Sequence, residues 1–171
     1  VKGDLGYALE LVVNLLNDAL ENEGVTIDGT SQPKVEKSSY VAFIKLIEEM
    51  KSGKVDALFL HHSNPIYFLP KSLGFAEAYP KVKLVVTSSM HLDETAKQSD
   101  FVLALSHATE AWGDAEPRQG VYSIQQPTIQ PLYKTRAFEE NLLAWGRTLT
   151  SSGLMARSTT WHEYVKNYWK D

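Results

Sequence analysis

Apolar residues in this chain follow two periodicities, and the change between them divides it. Leu5, Leu9, Val12, Val13, Leu16, Ala19 and Leu20 recur at spacings of three and four, which predicts an amphipathic helix ending near Glu23 and Gly24. The polar stretch from Gly24 to Ser38, with Asp28, Gly29 and Pro33, reads as a long loop. Ser38 or Ser39 can cap a second helix, whose Val41, Ile44, Leu46, Ile47 and Met50 face a core before Gly53 stops it. Beyond it the pattern shortens to compact apolar runs: VDALFL at 55–60, a run within 82–87 ending in LVVT, and FVLAL at 101–105. Helical stretches at about 72–79 and 93–98 separate them.

Two successive strand, helix, strand units with short connections predict parallel strands joined by right-handed crossovers. The fold class is therefore α/β, a doubly wound, mainly parallel sheet with helices on both faces, and residues 1–171 read as a single domain. The carboxyl ends of parallel strands share one edge, where such folds bind ligands. His61, His62, Ser63, Asn64 and Pro65 follow the first run, Ser88, Ser89, Met90 and His91 the second, and Ser106, His107 and Glu110 the third. From 111 to 135 the texture is irregular, punctuated by Gly113, Pro117, Gly120, Pro127 and Pro131, with a short strand at Val121 to Gln125. A helix resumes near Arg136 and carries Phe138, Leu142, Leu143 and Trp145 inward, and the tail WHEYVKNYW forms a last aromatic helix.

Composition narrows the chemistry. A length of 171 residues with 43% apolar residues suits one globular domain with its own core. A net charge of -4 without a basic cluster leaves no electrostatic footprint for nucleic acid or for an anionic membrane. No apolar run approaches the length of a membrane span. Zero cysteines removes thiolate nucleophiles, thiolate zinc sites and locally ligated iron-sulfur clusters. The opening at Val1, with a helix starting within a few residues, has the look of a piece of a larger protein.

Phosphate-loop, dinucleotide-fingerprint, nucleophile-elbow and HExxH patterns are absent. His61, His62, His91 and His107 cluster at the expected ligand edge, yet adjacent His61 and His62 should point apart and no carboxylate completes a ligand set, so no metal site is assigned. Asp93, Glu94 and Thr95 read as first-turn residues that cap amides. Ser63 and Asn64 before Pro65 stand where a strand leads to a helix, a turn that can offer amides and small polar groups to a phosphate or sugar.

The segments VDALFLHHSNP, DETAKQSDFVLAL and EAWGDAEPRQGVYSIQQP resemble, in order and spacing, the nucleotide-side domain of the molybdopterin oxidoreductase (dimethyl sulfoxide reductase) family. The pattern is most similar to the molybdopterin-like iron-sulfur subunits of alternative complex III. In catalytic members such a domain helps hold a molybdopterin guanine dinucleotide. Carried onto this chain, the resemblance places cofactor-binding positions at Ser63, Asn64, Pro65, Ser88, Glu94, Thr95, Glu110 and Gly113, with no catalytic residue. Three positions depart from the family: His62 replaces the glycine of GxNP, Ala104 a proline, and Asp114 the threonine after Gly113. A large side chain stands where backbone would approach the ligand, and a carboxylate stands near the pyrophosphate position.

The resemblance thus implies a structural domain of a respiratory electron-transfer subunit without its own cofactor, its iron-sulfur clusters elsewhere in the parent chain. Other domains and membrane-complex subunits would be its partners, on the periplasmic side of a bacterial inner membrane. The alternative is a catalytic domain binding the guanine dinucleotide arm of a bis-pterin molybdenum cofactor.

Overall fold

A computed structural model describes residues 4–29 and 39–170. The chain separates into two compact units, one of Val1–Glu36 with Glu116–Ser123 and one of Lys37–Ala115 with Ile124–Asp171.

In the first unit, α1 (Asp4–Ala19) carries the expected apolar repeat. It stops short of Glu23 because Glu21 adopts a left-handed φ of 53° and Asn22 folds back, donating from Nδ2 to Asn17 Oδ1 at 3.1 Å. Leu5, Leu9, Val12, Val13, Leu16 and Leu20 all remain exposed. The expected loop from Gly24 is described only as far as Gly29; its remainder, with Pro33 and Ser38, lies outside the described residues.

The second unit is the α/β fold. Helix α2 (Tyr40–Lys51) begins at Ser39, whose Oγ accepts from the Ala42 amide at 3.2 Å, and ends before Gly53 at φ 70°. Three parallel strands follow, β1 (Ala57–His61), β2 (Leu84–Ser89) and β3 (Phe101–Ala104), in the order β1-β2-β3. The registers Ala57 to Leu84 and Val86 to Phe101 place Ser88 beside both His61 and Leu103. Leu105 makes a further parallel bridge to Arg136, so the returning chain extends the edge of the sheet.

Between β1 and β2 lie α3 (Pro65–Phe68), a 3-10 turn at Lys71–Leu73, α4 (Phe75–Ala78) and a second 3-10 turn at Tyr79–Lys81. The sequence predicts one helix over 72–79. Gly74 at φ 69° and Pro80 break that span into short turns. The expected helix at 93–98 is likewise a single 3-10 turn, Ala96–Gln98.

Alternation along β1 sends Leu58 and Leu60 to one face of the sheet, where they meet Ile47, Met50, Phe75, Ala78, Tyr79 and Val85. Val41, expected inward, is 78% exposed, whereas Phe43 packs on this core and stacks on Phe75. The opposite face carries Phe59 and His61 towards α5 (Phe138–Leu149): Phe59 meets Trp145 edge-on at 6.0 Å and His61 stacks on Phe138 at 3.9 Å. Helices therefore stand on both faces of the sheet. Among the α5 residues expected inward only Leu143 is buried; Leu142 and Trp145 stay 42% and 37% exposed because the three-stranded sheet offers a narrow floor.

The irregular segment contains one strand more than expected, β4 (Gly113–Arg118), paired with β5 (Val121–Gln125). Pro117 hides it in the sequence, since proline is tolerated only where its missing N–H has no ladder partner. Two helices finish the chain, α6 (Gly153–Arg157) and α7 (Trp161–Tyr168).

Met50 is fully buried at the centre of the core. Met50→Ala is expected to destabilise the protein by about 2–5 kcal/mol through lost transfer energy and the residual cavity. Urea unfolding followed by circular dichroism measures it; a loss below about 1 kcal/mol would mean this core is loosely packed.

Candidate functional site

The carboxyl edge of the sheet is built from polar residues that bond to one another. After β1, His62 takes a left-handed φ of 47°, a conformation that disfavours any side chain with a Cβ. The resemblance puts a glycine at this position, a residue for which that conformation carries no such penalty. Asn64 stands at the start of α3, and Pro65 occupies its first position.

Asn64 ties this turn to the segment after β2. Its Oδ1 accepts from the Thr95 hydroxyl at 2.7 Å and the Thr95 amide at 3.2 Å, and its Nδ2 donates to Glu94 Oε2 at 2.7 Å. Thr95 Oγ1 in turn accepts from the Ile66 amide at 3.1 Å. Asp93 Oδ1 accepts from the amides of Thr95 and Ala96 at 3.1 and 2.8 Å, the capping role expected for this triplet. Sequence and structure thus bring Asn64, Glu94 and Thr95 together. Ser63 Oγ makes no hydrogen bond among the described residues.

A second layer was not visible in the sequence. The Tyr79 hydroxyl reaches Ser99 Oγ at 2.9 Å and Thr95 O at 3.3 Å, and Thr87 Oγ1 lies 2.6 Å from the same Ser99 oxygen. The three bonded pairs span 12 to 20 positions in sequence, beyond the reach of any local spacing rule. Thr87, Tyr79 and Thr95 are all buried.

Ser88 is placed differently. It is buried in β2, where its Oγ donates to Leu60 O at 3.2 Å and pairs with His61 Nδ1 at 2.9 Å. His61 and His62, expected to point apart, have ring centroids 4.6 Å apart, because the left-handed turn swings His62 back over its neighbour. Burial depresses the His61 pKa, and the adjacent His62 adds to that effect while Glu139 opposes it.

Glu110 and Gly113 belong to another locus. Glu110 closes a reciprocal cap on the 3-10 turn Ala108–Glu110, accepting from the His107 amide at 3.0 Å through Oε2, while Oε1 accepts from the Leu132 amide at 3.0 Å. Those two amides, Leu132 first, hold its carboxyl below the ordinary range. Gly113 opens β4 with an ordinary φ, and a Cβ there would meet Gln125 at a normal 3.7 Å. Neither the cap nor the glycine is committed to a ligand by its geometry.

The Asn64 clamp makes a measurable link to Glu94, whose carboxyl is held below its ordinary value first by Asn64 and then by its own backbone amide. Asn64→Ala is expected to destabilise the fold by about 1–2 kcal/mol, from hydrogen bonds lost at a part-buried site. It should also raise the Glu94 pKa, read by carboxyl carbon NMR; an unmoved Glu94 titration would show that the clamp does not exist in solution.

His61 gives a pH dependence of the same sign in a higher pH window. With its folded pKa below about 6.5, the native state resists protonation, so its stabilising contribution is complete above about pH 6.5 and is lost as pH falls through that value towards the folded pKa. Histidine NMR should show His61 titrating below pH 6.5. His62→Gly should raise its pKa by removing the neighbouring charge, with stability unchanged or higher by up to about 1 kcal/mol as the left-handed strain is relieved. A marked loss of stability in that variant would refute the strained turn.

No family model matches the chain. A curated relative, the menaquinone reductase molybdopterin-binding-like subunit of Nitratidesulfovibrio vulgaris, is 34% identical over 105 residues, which take in 57% of this chain and 15% of the relative. The matched stretch is therefore a small part of a much longer polypeptide. This similarity supports the resemblance to the molybdopterin oxidoreductase family carried by the SNP, DETA and GDAEPR segments.

Proposed function

We propose that this chain is a molybdopterin-oxidoreductase-like domain of a respiratory iron-sulfur electron-transfer subunit, and that it serves there as a structural part without a cofactor of its own. The observation that carries this reading is the closed hydrogen bonding of the Asn64 turn. Asn64 uses both its amide oxygen and its amide nitrogen on Thr95 and Glu94, and Thr95 uses its hydroxyl on Asn64 and Ile66. A dinucleotide arriving at this turn would have to displace those bonds, and the His62 side chain stands where glycine would have let backbone approach a phosphate. The turn as folded is a poor fit for a pterin dinucleotide.

A role within a larger assembly agrees with the relative's description as a subunit and with the many exposed leucines and valines of α1. No helix among the described residues is long and apolar enough to cross a membrane, so attachment would come through partner subunits. In this reading the iron-sulfur clusters lie elsewhere in the parent chain, electrons bypass the present residues, and the assembly faces the periplasm.

One observation favours the alternative, a catalytic domain holding the guanine dinucleotide arm of a bis-pterin molybdenum cofactor. Ser63 Oγ is without a partner among the described residues, and the backbone at His62 has a left-handed φ that glycine would adopt without strain. Metal and pterin analysis of the parent protein isolated from its native membrane separates the two. Iron without molybdenum, tungsten or pterin is the expected result; molybdenum or tungsten with two pterins per chain would overturn the structural reading.

A further inference from the structure

Helix α7 and the start of β4 frame a groove that plays no part in the sheet edge. His162 stacks on Trp112 with ring centroids 4.1 Å apart and planes 11° from parallel, and Trp169 donates its indole N–H to Asp114 Oδ2 at 3.0 Å. Both indoles are thereby fixed by polar or ring partners. With Ile124 on β5 and Val165 beneath, they line an open, mainly apolar trough of about 370 Å³. Lys166 and Lys170, four positions apart, complete its wall. Neither ammonium has an ion-pair partner among the described residues.

The wall of this trough is positive although the chain's net charge is -4. Two unpaired cations flank an apolar trough, and indoles supply much of the energy at the centres of protein interfaces. We propose that this trough docks an acidic segment of a partner polypeptide, with an apolar anchor between Trp112 and Trp169 and carboxylates on Lys166 and Lys170. The complementary charge belongs on the partner because Asp114, the nearby carboxylate, is already engaged by Trp169. A polypeptide suits an open trough with one cation on α7 and the other in the turn that follows it, since a side-chain anchor with carboxylates on either side of it meets both. The inference rests on the reading of this chain as part of a multi-subunit assembly and names one of its contact surfaces.

The test uses the full chain and two fluorescein-labelled hexapeptides that share a Leu-Phe core, one flanked by glutamates and one by lysines. Fluorescence anisotropy should show binding of the acidic peptide only, and NMR of the unmodified protein should show the indole N–H signals of Trp112 and Trp169 shifting as that peptide is added. The double variant Lys166→Glu, Lys170→Glu should lower the affinity at least about tenfold, with an unchanged circular dichroism spectrum. Equal binding of both peptides, or unmoved indole signals, would overturn the proposal. So would binding of the protein to phosphatidylglycerol vesicles that is lost in the double variant while the acidic peptide does not bind, since the lysines would then serve a lipid surface. Peptide binding is independent of pterin content, so a parent protein found to carry molybdenum would refute the structural role without touching this surface, and a silent trough would leave that role standing.

Discussion

The second unit depends on one buried threonine. Thr95 lies in an irregular segment, yet it joins three parts of the chain: its hydroxyl and amide bond Asn64 after β1, its hydroxyl accepts from Ile66 at the start of α3, and its carbonyl receives the hydroxyls of Tyr79 and Ser99. Irregular backbone carries polar groups that no ladder satisfies, and burying them unpaired would cost about 1–3 kcal/mol each. The fold answers that constraint by pairing the loops with each other. Apolar packing between α2, α4 and the sheet supplies the bulk of the stability, but it does not set the path of the chain across the carboxyl edge. The hydrogen bonds do.

That solution bears on function. A ligand edge works by leaving donors preorganised and available, whereas here most of the polar groups near the strand ends have protein partners, Ser63 Oγ being an exception among the described residues. Ser88 is turned inward onto Leu60 O and His61, Asp93 caps two amides, and Glu110 caps one turn and anchors Leu132. The left-handed His62 fits the same picture. His62 holds a positive φ without being glycine, and the surrounding bonds, the His62 amide to Ser88 O at 3.1 Å among them, hold the backbone there.

Much of this was legible in the sequence, and the reasons differ by element. The three parallel strands and α2 followed from compact apolar runs, a serine cap and a glycine stop, all of which act within a few residues. The Asn64 to Thr95 pairing spans 31 positions and was reachable only as two motifs recognised together, not as a contact. The Tyr79, Thr87 and Ser99 hydroxyl cluster left no trace, since isolated hydroxyls in apolar runs carry no periodic signal. Helical periodicity misleads where glycine and proline cut it, as at Gly74 and Pro80, and it does not fix burial, as the exposed Val41 and Leu142 show. Strand β4 was lost to Pro117, whose usual reading as a breaker fails in a two-stranded ribbon with open edges.

The distribution of satisfied and unsatisfied groups separates the interior chemistry from the surface. At the sheet edge nearly every polar side chain named above has a partner within the chain. On α1 the apolar repeat is exposed along the helix, and beside α7 two lysines stand unpaired around indoles. An amphipathic helix gains little stability until its apolar face is covered, and an unpaired ammonium beside apolar surface favours an anion that brings apolar surface of its own. Under the structural role proposed above, the exposed leucines of α1 and the two lysines beside α7 are each a surface for neighbouring polypeptide, and selection would then act on those surfaces more than on the turn at His62.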